Sequence, residues 1–191
     1  MIIAEPLWDK NIKGKMKNII VENKTLRTYS EMSKSVYQSL VITTRKYPEK
    51  IAFVDDDLRE YSYSQFLNLV NKFSRKLFVE HDIKKDDHVG ILMYCNLDFC
   101  IAYYSISALN AVCVPLPTKY RQKELQILIE KSDLKLLLLD EKFDLWFLYN
   151  SKLIFNQSTK RLIDSILNMY SGEVIVSNIL FEDKTIIMFT S

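Results

Sequence analysis

Glycine is scarce in this chain, with 3 glycines in 191 residues, whereas average usage of roughly 7% would give about 13. Adjacent glycines let the backbone approach a phosphate closely, which is why phosphate-binding loops contain them. Gly14, Gly90 and Gly172 lie far apart in the sequence. A self-contained glycine-rich phosphate loop is therefore excluded, and any nucleotide site must be incomplete or free of glycine.

Cysteine and histidine are also few, and their spacing gives no metal or catalytic motif. Cys95, Cys100 and Cys113 include no Cys-x-x-Cys pair, and His81 and His88 are flanked by charged residues. An odd number of cysteines inside apolar stretches favours a reduced, metal-free, cytoplasmic protein in which Cys95 and Cys100 are core thiols. A Ser/His/Asp hydrolase is excluded because no Gly-x-Ser-x-Gly motif exists.

The charge is nearly balanced, with 26 Lys and Arg against 24 Asp and Glu. No long run of one sign occurs, which argues against a nucleic-acid binder. The N-terminus from Met1 to Ile12 lacks the apolar core of a signal peptide. Residues 99–118 form an uncharged run of about 20 residues, a length that could span a bilayer. Its serines and its two closing prolines favour a buried helix followed by a strand, so we expect no transmembrane segment.

Hydrophobic spacing predicts helices and a hairpin in the first half of the chain. A helix is expected from Ser30 to Tyr47, with Ser30 as its N-cap. The runs 51–54 and 60–63 predict a hairpin around a turn of three aspartates. Ser62 or Ser64 is expected to cap the helix that follows. In the first helix the side chains expected on the buried face are Met32, Val36, Leu40 and Val41.

Strands alternate with helices from residue 88 onward, and this alternation predicts right-handed crossover units in a parallel sheet. The apolar run 134–139 is typical of a strand buried on both faces. The fold class predicted is α/β, a mostly parallel sheet with helices on both faces, in one domain over 30–191 after a partly ordered leader at 1–29. The predicted strands are 88–94, 111–115, 134–139, 153–155, 173–176 and 185–189, and the predicted helices include 97–109 and 121–131.

Several short motifs follow one another in a fixed order. They are Pro48-Glu49-Lys50-Ile51-Ala52, Ser62-Tyr63-Ser64-Gln65-Phe66, Asp86-Asp87 before His88-Val89-Gly90-Ile91, Asn96, and Asn110-Ala111-Val112-Cys113-Val114-Pro115-Leu116. The last is Glu182-Asp183-Lys184-Thr185-Ile186-Ile187-Met188-Phe189, which runs into Thr190-Ser191. Together they resemble the N-terminal part of the adenylate-forming superfamily, which comprises acyl-CoA synthetases, adenylation domains of peptide synthetases and luciferases. Asp86 and Asn110 stand where the family has glycines.

This resemblance implies an ATP-dependent acid–thiol ligase that activates a carboxylate as an acyl adenylate. It implies ATP and Mg²⁺ as requirements of the complete enzyme, and CoA or a phosphopantetheine thiol as acceptor. It places Thr190 and Ser191 at the start of the loop that binds the ATP phosphates, and it assigns no catalytic or metal-ligating residue to this chain. Lys119 and Arg121 are either a phosphate or CoA contact or an ordinary solvated surface. The carboxylic acid itself is not specified.

Because the phosphate loop would be incomplete, we expect the chain alone to be inactive and to bind none of these cofactors. The expected partner is the remainder of the same enzyme, and exposed apolar side chains at 186–189 predict self-association. The alternative is a free-standing, non-catalytic α/β module that docks a carrier protein or a separate catalytic half. A reading frame that continues past Ser191 into Gly-Thr-Thr-Gly would favour the enzyme, and a stop codon there would favour the module.

Overall fold

The computed structural model describes residues 15–21, 23–140, 143, 154–158, 162, 166, 179–180 and 183–189. The predicted strand at 173–176 lies outside these residues. In chain order the elements are β1 (Met16–Val21), β2 (Lys24–Tyr29), α1 (Val36–Lys46), β3 (Ile51–Val54), β4 (Glu60–Ser62), α2 (Tyr63–His81), β5 (His88–Leu92), α3 (Leu97–Ala108), β6 (Val112–Pro115), α4 (Gln122–Ser132), β7 (Leu136–Asp140) and β8 (Ile154–Ser158).

A four-stranded parallel sheet lies at the centre, in the order β6-β5-β7-β8. The predicted interior strand is confirmed, because β7 lies between β5 and β8. The final described segment joins the free side of β6 in parallel through an isolated bridge between Cys113 and Ile186. Cys113 N–H donates to Thr185 O at 3.0 Å, and Ile187 N–H donates to Cys113 O at 2.9 Å. The strand predicted at 185–189 is thus only one bridge long.

Side chains of the sheet alternate between two apolar clusters, one on each face. Val89, Ile91, Leu136 and Leu138 contribute to a cluster that also contains buried residues of α2 and α3. Leu92, Val114, Leu137 and Leu139 contribute to a second cluster with Leu125 and Ile129 of α4. Period-two alternation with apolar residues on both faces is what a parallel strand between helices requires. The predicted fold class, with helices on both faces, is confirmed.

Gly90 lies in β5 at a point where the second cluster leaves no room for a side chain. A Cβ added there would stand 2.6 Å from Leu134 Cδ1 and 2.8 Å from Leu137 Cδ1. Both distances are shorter than real Cβ contacts, so either leucine would have to move. The glycine therefore allows the second cluster to pack directly against the backbone of the central strand.

The N-caps of α1 and α2 were both predicted from the sequence, and the structure confirms only the second. Ser30 is not the cap of α1: Ser35 is, and its hydroxyl accepts from Gln38 N at 3.0 Å. Met32 consequently precedes the helix and is 44% exposed. The cap of α2 is confirmed at Ser62, which forms a reciprocal capping box with Gln65. Both observed caps have a glutamine at the third helical position, Gln38 in α1 and Gln65 in α2, whereas the residue three after Ser30 is Ser33.

Two antiparallel hairpins precede the central sheet. The pairing of β3 with β4 confirms the predicted hairpin. Its turn is held by the buried Asp55, whose Oδ1 accepts from Asp57 N at 2.9 Å and from Arg59 N at 3.0 Å. The pairing of β1 with β2 forms a second hairpin that the sequence did not predict. The predicted division into a leader at 1–29 and a domain at 30–191 stays a prediction.

Among the described residues, six other than glycine have positive φ: Asn23, Leu58, Asp82, Asp86, Asn110 and Asp133. Five of them are Asn or Asp, the types that tolerate the left-handed region best after glycine. Asp86 and Asn110, at 66° and 55°, are the two residues that replace glycines of the family pattern. The turns are therefore kept, and the substitutions leave the fold unchanged.

No helix within the described ranges is long and apolar enough to cross a membrane.

Leu58 should be a site where substitution stabilises the protein. It has φ 62° and is 82% exposed, so it bears the left-handed cost of about 1–2 kcal/mol without burying its side chain. We expect Leu58→Asn to raise the free energy of unfolding by about 0.5–1 kcal/mol, measured by urea denaturation. Leu58→Ala keeps the strain and serves as the control. Equal stability of the Asn and Ala variants would contradict this account of the turn.

Candidate functional site

The carboxyl ends of the parallel strands define one edge of the sheet, here called the carboxyl edge. The strands β5, β6 and β7 all run the same way, and the segment around Ile186 is parallel to β6. The chain passes from β5 to β6 on one side and later to β7 on the other side. Open α/β sheets bind ligands outside the carboxyl ends at such a switch in strand order. The carboxyl edge beside β5 is therefore the candidate site.

The loop after β5 brings an aromatic ring and a helix N-terminus to this edge. Tyr94 is 47% exposed, and its ring stacks on Phe143 with centroids 5.3 Å apart. Asn96 is the N-cap of α3, and its Oδ1 accepts from Phe99 N at 3.0 Å. The edge thus combines a stacked aromatic surface with the N-terminal end of a helix, which favours negative charge.

The loop after β6 brings two cations to the same edge. Leu116 N–H donates to Ile91 O at 2.8 Å, which holds the start of this loop against β5. Lys119 and Arg121 follow, and both are exposed. Arg121 N–H donates to Glu124 Oε2 at 2.8 Å at the start of α4. Their exposure fits an anion contact and a solvated surface equally, so both interpretations of these two residues stay open.

The predicted binding residues Thr190 and Ser191 lie outside the described residues. The segment that precedes them in sequence is fixed at its other end by an ion pair. Lys85 Nζ lies 2.9 and 2.8 Å from the two carboxylate oxygens of Asp183, and Asp183 Oδ2 accepts from Leu180 N at 2.9 Å. These bonds hold the segment 183–187 beside β6 and the loop before β5.

The three free cysteines differ in accessibility. Cys95 is exposed at the carboxyl edge, Cys100 is partly buried in α3 and Cys113 is buried in β6. The interpretation of Cys95 as a core thiol is therefore wrong, because this residue follows β5 in a surface turn. Burial raises the pKa of Cys113 to about 12, so this thiol stays protonated near neutral pH.

The amino ends of the strands form the opposite edge, which has a depression of about 200 Å³ beside Asp133 and Leu134. Several of its polar side chains are bonded to neighbouring groups. Lys135 Nζ lies 2.7 Å from Asp87 Oδ2, and His88 Nδ1 lies 2.6 Å from Ser132 O. Among the described residues no group of three or more His, Cys, Asp or Glu could hold a metal. This edge is bonded within itself and is not the candidate site.

The Lys85–Asp183 pair should contribute stability that depends on pH. The hydrogen bond from Lys85, then the bond from Leu180 N–H, holds the pKa of Asp183 below its ordinary value. A depressed folded-state pKa contributes stability that is present above the ordinary pKa of an aspartate and is lost as the pH falls through the folded-state value. We expect Asp183→Asn to lower the Tm at pH 7 and to lose this deficit in strong acid.

The local readout of the same variant is hydrogen exchange at Ile187 N–H, which is bonded to Cys113 O. Faster exchange is expected in Asp183→Asn because the segment loses its anchor. Asp56→Asn is the matched control, since Asp56 is an exposed carboxylate on the β3–β4 turn. A Tm deficit that stays constant from pH 7 to strong acid would contradict the ionic contribution.

Known proteins with similar sequences indicate the family of this chain. The family model described as AMP-binding enzyme matches residues 41–184. The chain is 26% identical over 144 residues to 2-succinylbenzoate–CoA ligase of Oceanobacillus iheyensis, which covers 75% of this chain and 29% of the ligase. It is also 26% identical over 105 residues to gramicidin S synthase 1 of Brevibacillus brevis, covering 55% of this chain and 9% of that protein.

A solved structure with the same fold is a fatty acyl CoA synthetase of Mycobacterium tuberculosis. The TM-score is 0.74 at 21% identity, and the match covers 83% of this chain and 33% of the other. The chain therefore spans at most 33% of the length of these three proteins. The family model covers well over half of the chain, and the chain belongs to the AMP-binding enzyme family.

Proposed function

We propose that this chain is the N-terminal part of an ATP-dependent acid–thiol ligase that activates a carboxylate as an acyl adenylate. The observation that carries the proposal is the parallel bridge between Cys113 and Ile186. It directs the final segment toward the carboxyl edge, where open α/β sheets bind nucleotides. Membership of the AMP-binding enzyme family supports the same reaction, as do the names of the relatives, a CoA ligase and a peptide synthase.

Thr190 and Ser191 are proposed as the first residues of the loop that binds the ATP phosphates. They directly follow Phe189 in the sequence, and hydroxyls with successive backbone N–H groups after a strand suit an anion. The helix N-terminus at Asn96 and the cations Lys119 and Arg121 lie on the same edge of the sheet, which supports an anionic ligand. Two residues without glycine provide only part of such a loop.

In such a ligase the carboxylate would attack the α-phosphorus of ATP and pyrophosphate would leave, while Mg²⁺ would offset the negative charge of the phosphates. This chain would contribute electrostatic stabilisation and positioning of the phosphates. The acceptor is proposed to be CoA or a phosphopantetheine thiol, because both kinds of relative are found. No residue of this chain is assigned a catalytic role. A cytoplasmic location is proposed from the free, unpaired pattern of cysteines in the sequence.

The second candidate function is a non-catalytic module that docks a carrier protein or a separate catalytic half. It is supported by the exposed side chains of the final segment, since Met188 is 70% exposed and Ile186 is 39% exposed. Within the described residues this segment pairs only with β6, so its other edge could receive a partner. Sequencing of the transcript beyond the Ser191 codon separates the two functions.

The isolated chain should bind ATP weakly or not at all. Ordering Thr190 and Ser191 costs about 1–2 kcal/mol per residue, which is comparable to about 1.5–3 kcal/mol from each charge-assisted hydrogen bond. The net gain is near zero before the loss of translational freedom. We expect calorimetry with ATP and Mg²⁺ to give no micromolar affinity and carboxylates to cause no pyrophosphate release. Either signal in the isolated chain would contradict the prediction.

The exposed final segment should cause self-association. We expect sedimentation of the wild-type chain to show a concentration-dependent dimer, and Met188→Lys to shift it toward monomer by at least tenfold in Kd. A lysine there places a charge in the apolar contact, which disfavours burial. Ile127→Lys on α4 is the matched control, since Ile127 is 50% exposed. A wild-type chain that stays monomeric at all concentrations would argue against an apolar docking surface.

A further inference from the structure

The turn between β5 and α3 contains two cysteines at a defined helical spacing. Asn96 is the N-cap of α3, so Cys95 occupies the position before the cap, and Cys100 occupies the fourth helical position. Side chains at these two positions commonly pack against each other across the first helical turn. The cap geometry that brings them together is present, because Phe99 N–H donates to Asn96 Oδ1 at 3.0 Å.

Hydrogen bonds fix the backbone between the two thiols. Cys100 N–H donates to Asn96 O at 3.2 Å, which closes the first turn. Asp98 Oδ2 accepts from Leu162 N at 3.0 Å, which ties the same turn to a later part of the chain. The two cysteines therefore flank a turn that hydrogen bonds hold in place.

The two thiols also interact electrostatically. Burial first, and then the charge of Cys95, raises the pKa of the Cys100 thiol. Cys95 is exposed and Cys100 is partly buried, whereas Cys113 is buried in β6. An oxidant in solution therefore reaches Cys95 first, and Cys100 is the thiol positioned to react next.

We propose that Cys95 and Cys100 are a redox-modification site that forms a reversible intramolecular disulfide when the protein meets a peroxide. The site lies at the carboxyl edge, beside the N-cap Asn96. It is independent of the proposed adenylation, because it needs neither ATP nor the phosphate loop.

The reaction balances in two steps. The Cys95 thiolate attacks one oxygen of hydrogen peroxide: an S–O bond forms, the O–O bond breaks, and the leaving oxygen takes up a proton as water. The Cys100 sulfur then attacks Cys95 Sγ: the S–S bond forms, the S–O bond breaks, and a second water leaves with the proton from Cys100. Two thiols lose two electrons, and the peroxide gains them.

Reversal requires a reducing thiol, which attacks the accessible sulfur of Cys95. Exposed disulfides are the reducible kind, since the attacking thiolate must approach along the S–S axis. The oxidised form would be a closed ring from Cys95 to Cys100, which locks the start of α3 next to the carboxyl edge. The reduced form leaves Cys95 free in the turn.

The test treats the full chain with hydrogen peroxide, blocks the remaining thiols with N-ethylmaleimide, and maps peptides without reduction. We expect labelling of Cys95 and of Cys100 to fall together by at least fivefold. The peptide that contains both should lose two hydrogens in mass, and dithiothreitol should restore the labelling. Cys113→Ser should behave as wild type, whereas Cys95→Ser and Cys100→Ser should form no internal disulfide.

Two outcomes would overturn the proposal. One is a gain of oxygen at Cys95 in the wild type while Cys100 keeps its full labelling. The other is a disulfide between chains, seen as a dimer on a non-reducing gel. Cys100→Ala is measured beside Cys100→Ser, and both are checked by circular dichroism, so that a folding defect is not mistaken for loss of the bond. The wild-type peptide map decides the proposal even if neither variant folds.

Discussion

Burial of β5 and β7 on both faces is the constraint on which the rest of the molecule depends. Leu136, Leu137 and Leu138 are fully buried, although consecutive side chains of a strand point to opposite faces. Such a strand is stable only between two layers of helix. The α2–α3 layer covers one face and α4 covers the other. Parallel pairing then brings the carboxyl ends of the strands to one edge, which places the loops of the candidate site together.

The shortage of glycine is compensated by asparagine and aspartate at the turns. Asp82 ends α2 and Asp133 ends α4, each in the left-handed conformation that glycine usually supplies at this position. Asp86 and Asn110 have the same conformation before β5 and β6. Asn and Asp tolerate that region at a lower cost than other residues with a side chain. The low glycine content therefore does not exclude glycine-like turns.

The elements that could be predicted from the sequence are those for which two independent sequence signals agree. The interior strand at Leu136–Asp140 is both apolar and bounded by turn residues, and the start of α2 has a cap residue as well as its partner Gln65. Single signals were less reliable. Ser30 is a suitable cap by residue type alone, whereas Ser35 also has Gln38 at the third helical position. Tertiary packing supports the later start, since Tyr37 N–H donates to Ser107 Oγ at 3.2 Å.

The features that the sequence did not predict have no clear local signal. In the β1–β2 hairpin most side chains are exposed. Its sequence therefore lacks the alternation of apolar and polar residues that predicts a strand. The apolar residues around Cys95 in the sequence predict that it is buried. It is a surface residue because it lies in the turn between β5 and α3. The carboxyl edge could be predicted because it follows from strand direction. The side chains that line it could not, since each loop sets its own exposure.

The two edges of the sheet differ in a way that separates stability from function. At the amino edge, where the strands begin, Lys135 is paired with Asp87 and Lys85 is paired with Asp183. At the carboxyl edge the side chains of Tyr94, Cys95 and Lys119 are exposed. The Lys85–Asp183 pair joins residues 98 positions apart in sequence, and it holds the start of the segment that crosses the sheet beside β6. The Lys85–Asp183 pair at the amino edge therefore sets the direction in which the final segment runs toward the carboxyl edge.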